Sequence, residues 1–368
     1  MDQRAKHVSL FLSNLDTGGA QRVAVDLSRL LAERGHRVEI LVLNDQGAMT
    51  QHVDPQVAVH SFSTRSTFLA WWRLSRHLGA NRPDALISFM PHGNMVGAAA
   101  RLTALGRTRQ IMTEHNDPLR THSAGRGFIK SRLMPTLNFA FYRTASEIVS
   151  VSNGVGDALA DYFHLPRERI KTIYNPIAVD PVPRPQFVDH HWFNDRDRPV
   201  FLAAGRLVPA KGFDRLIQAF AEVYWERPEV RLIIRGEGPE RRALTEMLEY
   251  MKIGGAVSLP GVTQNLRAEM SLAHAFVLSS RWEGFGLVLA EALAEGARVI
   301  SVDCDYGPDE ILRNGAVGRL IRQDDDRALF GAMLASLDDP APFYPADLLS
   351  SFRPELVAER YEALLSKH

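Results

Sequence analysis

Along the first half of the chain, short apolar runs alternate with stretches whose apolar residues recur every three or four positions. HVSLFLSN leads into AQRVAVDLSRLLAERG, which places Val23, Leu27, Leu30 and Leu31 on one helical face, and RVEILVLN follows. Gly35 stands where a glycine closes a helix. DALISFM, RQIMTEHN, EIVSVSNG and IKTIYNP are further apolar runs, several rich in Ile and Val, as buried parallel strands are. The pattern predicts a doubly wound α/β domain over residues 1–180.

Residues 181–198 are proline-rich, keep no period, and read as a linker. The alternation then resumes. PVFLAAGRL, VRLIIRGEGP, AVSLPG, AFVLSSRWEGFG and RVISVD are separated by helical patterns such as FDRLIQAFAEVYWE and RRALTEMLEYM, predicting a second α/β domain over 199–353. The stretch 354–368 puts Leu356, Val357, Tyr361, Leu364 and Leu365 on one face of a helix, with Pro354 near its start. Such a helix needs a docking surface, and the first domain is expected to supply it.

Composition narrows the picture. A chain of 368 residues, 45% hydrophobic, can bury two cores. With Cys304 alone there is no internal disulfide framework and no Cys-based zinc site, so the cytoplasm is the expected compartment. No apolar run approaches the roughly 18 residues of a membrane helix, and Val8–Leu12 is too short for a signal peptide. Formal net charge is zero, yet residues 1–180 hold 21 Lys+Arg against 15 Asp+Glu and the remainder 22 against 28. The basic first half points to an anionic surface or partner. Neutrality overall, with no nucleic-acid motif, argues against nucleic acid.

The unusual motifs fall at the carboxyl ends of expected strands, where open parallel sheets bind ligands. Gly18-Gly19, Glu114-His115-Asn116 and Ser152-Asn153-Gly154 do so in the first half; Gly205-Arg206, Gly236-Glu237-Gly238 and Trp282-Glu283-Gly284-Phe285-Gly286 do so in the second. Gly284-Phe285-Gly286 opens the helical pattern LVLAEALAEG, whose free N–H groups and positive dipole end suit an anion. A turn of this kind also serves tight packing. Arg206 and Lys211 of GRLVPAKGF, cations at another strand end, favour the anion.

Glu283 and Glu291 are eight positions apart. If both were helical they would be about 12 Å apart, beyond the roughly 5–9.5 Å of a hydrolytic carboxylate pair. They suit two parts of one elongated ligand, unless Glu291 is a surface residue paired with a neighbouring cation.

These residues carry a resemblance. GGAQRV at 18–23, TEHN at 113–116, VSNGV at 151–155, YNPI at 174–177, GRLVPAKGF at 205–213, GEGP at 236–239, WEGFGLVLAEALAEG at 282–296 and YGPDEI at 306–311 span almost the whole chain. Together the sequence resembles the retaining glycosyltransferases of family 4, the glycogen-synthase-like type of bacterial polysaccharide and lipid-linked glycan synthesis. The resemblance implies the α/β GT-B fold, two facing Rossmann-like domains with the ligand cleft between them. It implies that Glu283 holds donor-sugar hydroxyls, Glu291 the ribose, and Arg206 and Lys211 the diphosphate with backbone N–H groups of Gly286 and Leu287. Gly284, Phe285 and Gly236 join the donor loops, and Leu259 and Gly261 flank the base. From the first domain, Gly18 and Gly19 let a loop approach diphosphate or acceptor, and His115 faces the reacting sugar carbon. Asn116, Ser152 and Asn153 are polar lining, and Tyr174-Asn175-Pro176 is a hinge or a simple turn. Gln21 stands where an acid is common in the family and Asp309 where Ser is common, positions that bear on acceptor and sugar.

By the same resemblance the departing diphosphate takes the acceptor proton on one face, with charge stabilised by Arg206, Lys211 and the helix dipole rather than by a metal. Asp303-Cys304-Asp305 and Asp324-Asp325-Asp326 are accordingly not expected to ligate a metal, Asp324 reading as a helix N-cap or first-turn acid. No cofactor is implied beyond a nucleotide-sugar donor, UDP-linked by the look of YGPDE. Arg120, Arg126, Lys130 and Arg132, interleaved with Phe128, Phe139, Phe141 and Tyr142 and extended by Trp71, Trp72, Arg73 and Arg76, suggest a surface for anionic lipid or a lipid-linked acceptor. The same residues also fit a solvated basic helix whose aromatics enter the core. A peripheral position on the inner face of the plasma membrane follows from the first reading. A nucleotide-sugar-binding scaffold, an epimerase and a phosphorylase are the other functions open to such a chain.

Overall fold

A computed structural model describes residues 4–44, 47–104, 106–123, 139–181, 188–195, 198–323 and 325–366. The chain forms two compact units, residues 1–176 with 351–368 and residues 177–350.

The first unit runs β1 (His7–Leu12), α1 (Gly19–Glu33), β2 (Arg37–Val42), β3 (Ala58–Ser61), α2 (Thr67–Asn81), β4 (Ala85–Phe89), α3 (Met90–Thr103), β5 (Arg109–Glu114), α4 (Pro118–Ser123), β6 (Glu147–Ser150), α5 (Asn153–Phe163) and β7 (Ile170–Thr172). Its sheet is parallel, in the order β3-β2-β1-β4-β5-β6-β7, so the winding reverses between β1 and β4. Central strands are apolar because helices cover both faces, and β4 is buried throughout. Helix α1 buries Val23, Leu27, Leu30 and Leu31. It closes through Gly35, whose φ of 87° lets Gly35 N–H reach Ala32 O while His36 N–H reaches Leu31 O.

The second unit runs β8 (Val200–Ala204), α6 (Phe213–Glu226), β9 (Arg231–Arg235), α7 (Arg241–Tyr250), β10 (Val257–Gly261), α8 (Leu266–Leu272), β11 (Ala275–Leu278), α9 (Leu287–Ala294), β12 (Val299–Asp303), α10 (Pro308–Ile311), β13 (Arg319–Arg322) and α11 (Asp326–Ser336). Its parallel sheet has the order β10-β9-β8-β11-β12-β13, reversing between β8 and β11. Its core gathers Phe201, Phe213, Phe220, Leu232 and Ile234 with Leu329 and Met333 of α11.

Residues 188–195 lie within the stretch expected to be linker, yet they are bound into the second unit. Asp189 accepts from Thr263 Oγ1 at 2.5 Å, and His190 Nε2 pairs with Ser258 Oγ at 3.0 Å. Helix α12 (Pro354–Leu365) packs on α1 of the first unit, burying Val357, Tyr361, Leu364 and Leu365. Burial of each such side chain contributes roughly 1.5–3 kcal/mol. Glu362 adds an ion pair to Arg34 at 2.8 Å and meets His36 Nε2 at 2.9 Å. Helix α11 is capped by Asp325, which accepts from Ala328 N–H, while Asp324 lies outside the described residues. Among the described residues no helix is long and apolar enough to cross a membrane.

Candidate functional site

In the second unit the loop after β11 is built around Glu283. Its backbone is fixed from both sides: Glu283 N–H donates to Asp305 O, and Tyr306 N–H donates to Glu283 O at 3.2 Å. The carboxylate is buried at 8% exposure. Lys211 Nζ donates to both of its oxygens, at 2.6 and 2.7 Å, and Ser280 Oγ donates at 2.5 Å. A buried charge is tolerable only when paired and hydrogen-bonded, and these three hydrogen bonds from two donors meet that demand.

Lys211 reaches Glu283 because the loop after β8 lies against the loop after β11. Gly212 makes the approach feasible: its φ is 61°, and a Cβ there would fall 2.2 Å from Ser279 O. Arg281 N–H donates to Ala210 O at 2.7 Å and Ser279 Oγ to Lys211 O at 2.9 Å. Arg281 clamps Asp214 through bonds of 2.7 and 2.6 Å, which hold the Asp214 carboxyl below its usual range. The clamp and the Ser280 contact were not anticipated from sequence, although both residues adjoin Glu283 in SSRWE.

Glu291 sits on the second turn of α9, buried at 4% exposure. The surface-residue reading of Glu291 is therefore wrong, because α9 is apolar on every side and buried with it. Nor does the helical spacing estimate apply, since Glu283 lies in the loop before α9. Gly286 caps α9 with φ of 92°, and no atom lies closer than 3.7 Å to its hypothetical Cβ, so glycine is required there by conformation. Leu287 opens the helix, and Gly284 and Phe285 are buried beneath it.

Gly236 has a packing role, since a Cβ there would lie 1.9 Å from Gly205 O. Its N–H donates to Gly261 O at 3.0 Å, and Arg241 bridges Leu259 O and Gly236 O. The loops after β8, β9 and β10 are thus tied side by side. Arg206 projects from this ledge, exposed, with no ion pair to a described residue. Burial raises Asp303 and Cys304 above their ordinary pKa values. Among the described residues no group of His, Cys, Asp and Glu is arranged to hold a metal.

In the first unit Gly18 and Gly19 are exposed at the start of α1, and Gly18 O accepts from Arg22 N–H. Gln21 turns back to Asn14, donating to Oδ1 at 3.1 Å. His115, at the end of β5, is 7% exposed, stacked on Phe89 at 5.4 Å, with Nε2 3.2 Å from Thr113 Oγ1. Burial takes its pKa down to about 3, so the ring is neutral. Its neighbour Glu114 is fully buried; Oε1 accepts from Asn94 Nδ2 at 2.7 Å and from Tyr142 OH. Burial, opposed by those two bonds, pushes Glu114 up to about 7.

Tyr142, grouped above with the basic segment, is therefore a core residue. Asn116 donates to Met90 Sδ, and Ser152 Oγ caps α5 by accepting from Val155 N–H. Asn153 bonds Tyr174 OH, whose ring meets Phe352 edge-on at 5.0 Å; Pro176 is the last residue before the second unit. Arg120 turns back to Asp117 at 3.1 Å, while Arg126, Lys130, Arg132 and Phe128 lie outside the described residues. Trp71 and Arg73 turn inward to Thr103 and to Phe62 O, whereas Trp72 is exposed with Arg76 stacked over it at 4.9 Å.

Residues 17–181 match the family model described as Glycosyltransferase Family 4, and residues 188–348 the model described as Glycosyl transferases group 1. The chain is 24% identical over 346 residues to the Campylobacter jejuni N-acetylgalactosamine-N,N'-diacetylbacillosaminyl-diphospho-undecaprenol 4-alpha-N-acetylgalactosaminyltransferase, covering 90% of each chain. It is 24% identical over 359 residues to the amylovoran biosynthesis glycosyltransferase AmsD of Erwinia amylovora, covering 95% of this chain and 97% of that one. Among solved structures, HepE of Anabaena in complex with UDP and glucose superimposes with a TM-score of 0.84 at 19% identity, over 99% of this chain and 100% of the other. The fold is GT-B.

Proposed function

Since the chain belongs to the family 4, group 1 glycosyltransferases, we propose that it is a retaining, metal-independent hexosyltransferase. It moves a hexosyl or N-acetylhexosaminyl unit from a UDP sugar to a glycan or lipid-linked acceptor in cell-surface polysaccharide synthesis. The single observation behind the assignment is the Lys211–Glu283 pair beside the Gly286-capped start of α9, with Glu291 buried two turns into the motif. The UDP and glucose of the HepE complex, and the lipid diphosphate and N-acetylgalactosaminyl group named for the Campylobacter enzyme, favour the donor and acceptor classes.

Glu283 takes donor-sugar hydroxyls and Glu291 the ribose hydroxyls. Arg206, Lys211 and the N–H groups of Gly286 and Leu287 take the diphosphate, and Leu259 and Gly261 flank the base. His115, neutral, serves as a hydrogen-bonding group toward the reacting sugar rather than as a cation. As the bond from the anomeric carbon to the β-phosphate oxygen breaks, the acceptor oxygen bonds to that carbon on the same face and its proton passes to the departing phosphate. Lys211 and Arg206 act by stabilising the charge that develops on the leaving group. The first unit takes the acceptor, to whose binding Gly18, Gly19, Arg120, Arg126, Lys130 and Arg132 contribute. The enzyme works in the cytoplasm, at the inner face of the membrane when its acceptor is lipid-linked.

The test is turnover of UDP-glucose, UDP-N-acetylglucosamine and UDP-N-acetylgalactosamine with an undecaprenyl-diphosphate-linked sugar acceptor in EDTA, reading the anomeric configuration by NMR. An α-linked product in EDTA is expected. A β-linked product, or turnover only with added divalent metal, would overturn the reading.

A further inference from the structure

At the opposite edge of the first unit's sheet from its carboxyl ends, three neighbouring strands are led in by basic residues. Lys6 precedes β1, Arg82-Pro83-Asp84 precedes β4, and Arg107-Thr108 precedes β5, whose first residue is Arg109. Strands β1, β4 and β5 are adjacent in the sheet, so these segments stand side by side. With the end of α12 they line a half-open surface pocket of about 710 Å³.

The walls are braced. Asp84 N–H donates to His7 O at 2.8 Å, Arg109 N–H to Asp84 O at 3.0 Å, and Thr108 Oγ1 to Pro83 O at 2.9 Å. The carboxylate of Asp84 is already engaged, accepting from His7 N–H at 2.8 Å and facing Lys6 Nζ at 3.9 Å. Arg109 lies 3.8 Å from Glu147. Arg82 and Arg107 are different: both are exposed, and neither makes an ion pair or side-chain hydrogen bond to a described residue. Arg82 also occupies the left-handed C-cap of α2, with φ of 46°, where glycine or asparagine is the usual residue.

Two guanidinium groups without a protein anion, beside a lysine and a further arginine at one concavity, focus a positive field into it. We propose that this pocket binds a phosphate-bearing ligand, with Arg82 and Arg107 as the phosphate contacts and Lys6 as a supporting charge. Arginine's planar fork matches phosphate oxygens in pairs. The pocket opens to solvent, which leaves room for an organic body attached to the phosphate. The site sits at the amino ends of the strands, away from every motif assigned to the donor, and does not rest on that assignment. The phosphate comes either from a soluble phosphorylated molecule or from an anionic lipid headgroup.

Calorimetric titration of the full chain with inorganic pyrophosphate distinguishes this site from the donor loops. Arg206→Ala, which removes a diphosphate contact of the donor loops, is compared with Arg206→Ala/Arg82→Ala/Arg107→Ala, and wild type and Arg82→Ala/Arg107→Ala are floated with phosphatidylcholine vesicles with and without phosphatidylglycerol. Pyrophosphate affinity is expected to fall at least about tenfold when Arg82→Ala/Arg107→Ala is added to Arg206→Ala. Loss of pyrophosphate binding alone assigns a soluble ligand; loss of phosphatidylglycerol-dependent flotation as well assigns a lipid headgroup. Arg107→Glu, a charge reversal at an exposed position, repeats the test if the double variant melts lower than wild type. Binding that is absent in wild type, indifferent to Arg82 and Arg107 in the Arg206→Ala background, or abolished by Arg206→Ala alone, overturns the proposal.

Discussion

Lys211 Nζ bridges the two carboxylate oxygens of Glu283, at 2.6 and 2.7 Å, although 72 residues separate them. The pair has no net charge, with the carboxylate buried and the ammonium partly exposed, and removing Lys211 leaves Glu283 without its counter-charge. Lys211→Ala is expected to lower stability by about 2 kcal/mol, less than a fully buried pair costs because Lys211 is partly exposed. Glu283→Gln keeps an acceptor for Ser280 and is expected to melt within a few degrees of wild type. Its turnover should nonetheless fall roughly a hundredfold, as for loss of one charge-stabilising contact. Thermal melts and steady-state rates on both variants separate the structural part from the catalytic part.

Glycine at 212 is a steric requirement. Gly212→Ala sets a Cβ 2.2 Å from Ser279 O in a left-handed residue, so the loops must part and carry Lys211 away from Glu283. A stability loss of roughly 2–3 kcal/mol and a fall in kcat of roughly a hundredfold are expected. Unchanged UDP affinity and turnover in this variant would show that the approach of the two loops does not matter.

Glu114 makes the first unit sensitive to alkali. Burial raises its folded-state pKa to about 7, above the ordinary value of 4.5, so its contribution is fully present below pH 4.5 and fades as pH rises through 7. Unfolding free energies from urea titrations should decline from pH 5 to pH 8, on the order of 1–3 kcal/mol, and Glu114→Gln should flatten that decline. A steeper decline in the variant would place the titration elsewhere.

Glu39 gives the opposite slope. Burial alone would raise its pKa, but hydrogen bonds from His77 and Ser9 and the charges of His77 and His7 take it down to about 2. Its contribution is therefore present above pH 4.5 and lost as pH falls through 2. Glu39→Gln is expected to cost about 2 kcal/mol at pH 7 and almost nothing near pH 2, read from acid titrations by circular dichroism.

Both parallel sheets could be read in the chain because their central strands are buried on both faces, as in DALISFM and PVFLAAGRL. Two of the four edge strands, β3 and β13, could not. Ala58–Ser61 is exposed at every position and Arg319–Arg322 is flanked by arginines, so neither shows an apolar pattern. Helix α2 was hidden by its outward Phe68, Trp72 and Arg76, which blur the apolar face formed by Ala70, Leu74 and Leu78.

At the site, residue types were legible but partners were not. Which carboxylate meets Lys211 depends on how β8 and β11 pair and on the close approach at Gly212, both long-range facts. The burial of Glu291 was open to inference, since LVLAEALA offers no polar face. The Glu114–Asn94–Tyr142 network escaped because its members come from three separated segments, and Tyr142 sits among basic residues that suggested a surface.

The most direct test of the account is calorimetric titration with UDP, GDP and ADP, with and without EDTA, on wild type and Glu291→Ala. UDP binding that is indifferent to EDTA and at least about tenfold weaker in Glu291→Ala is the expected result. Binding of no nucleotide, or binding that EDTA abolishes, would contradict the assignment of these loops to a metal-independent UDP-sugar transferase.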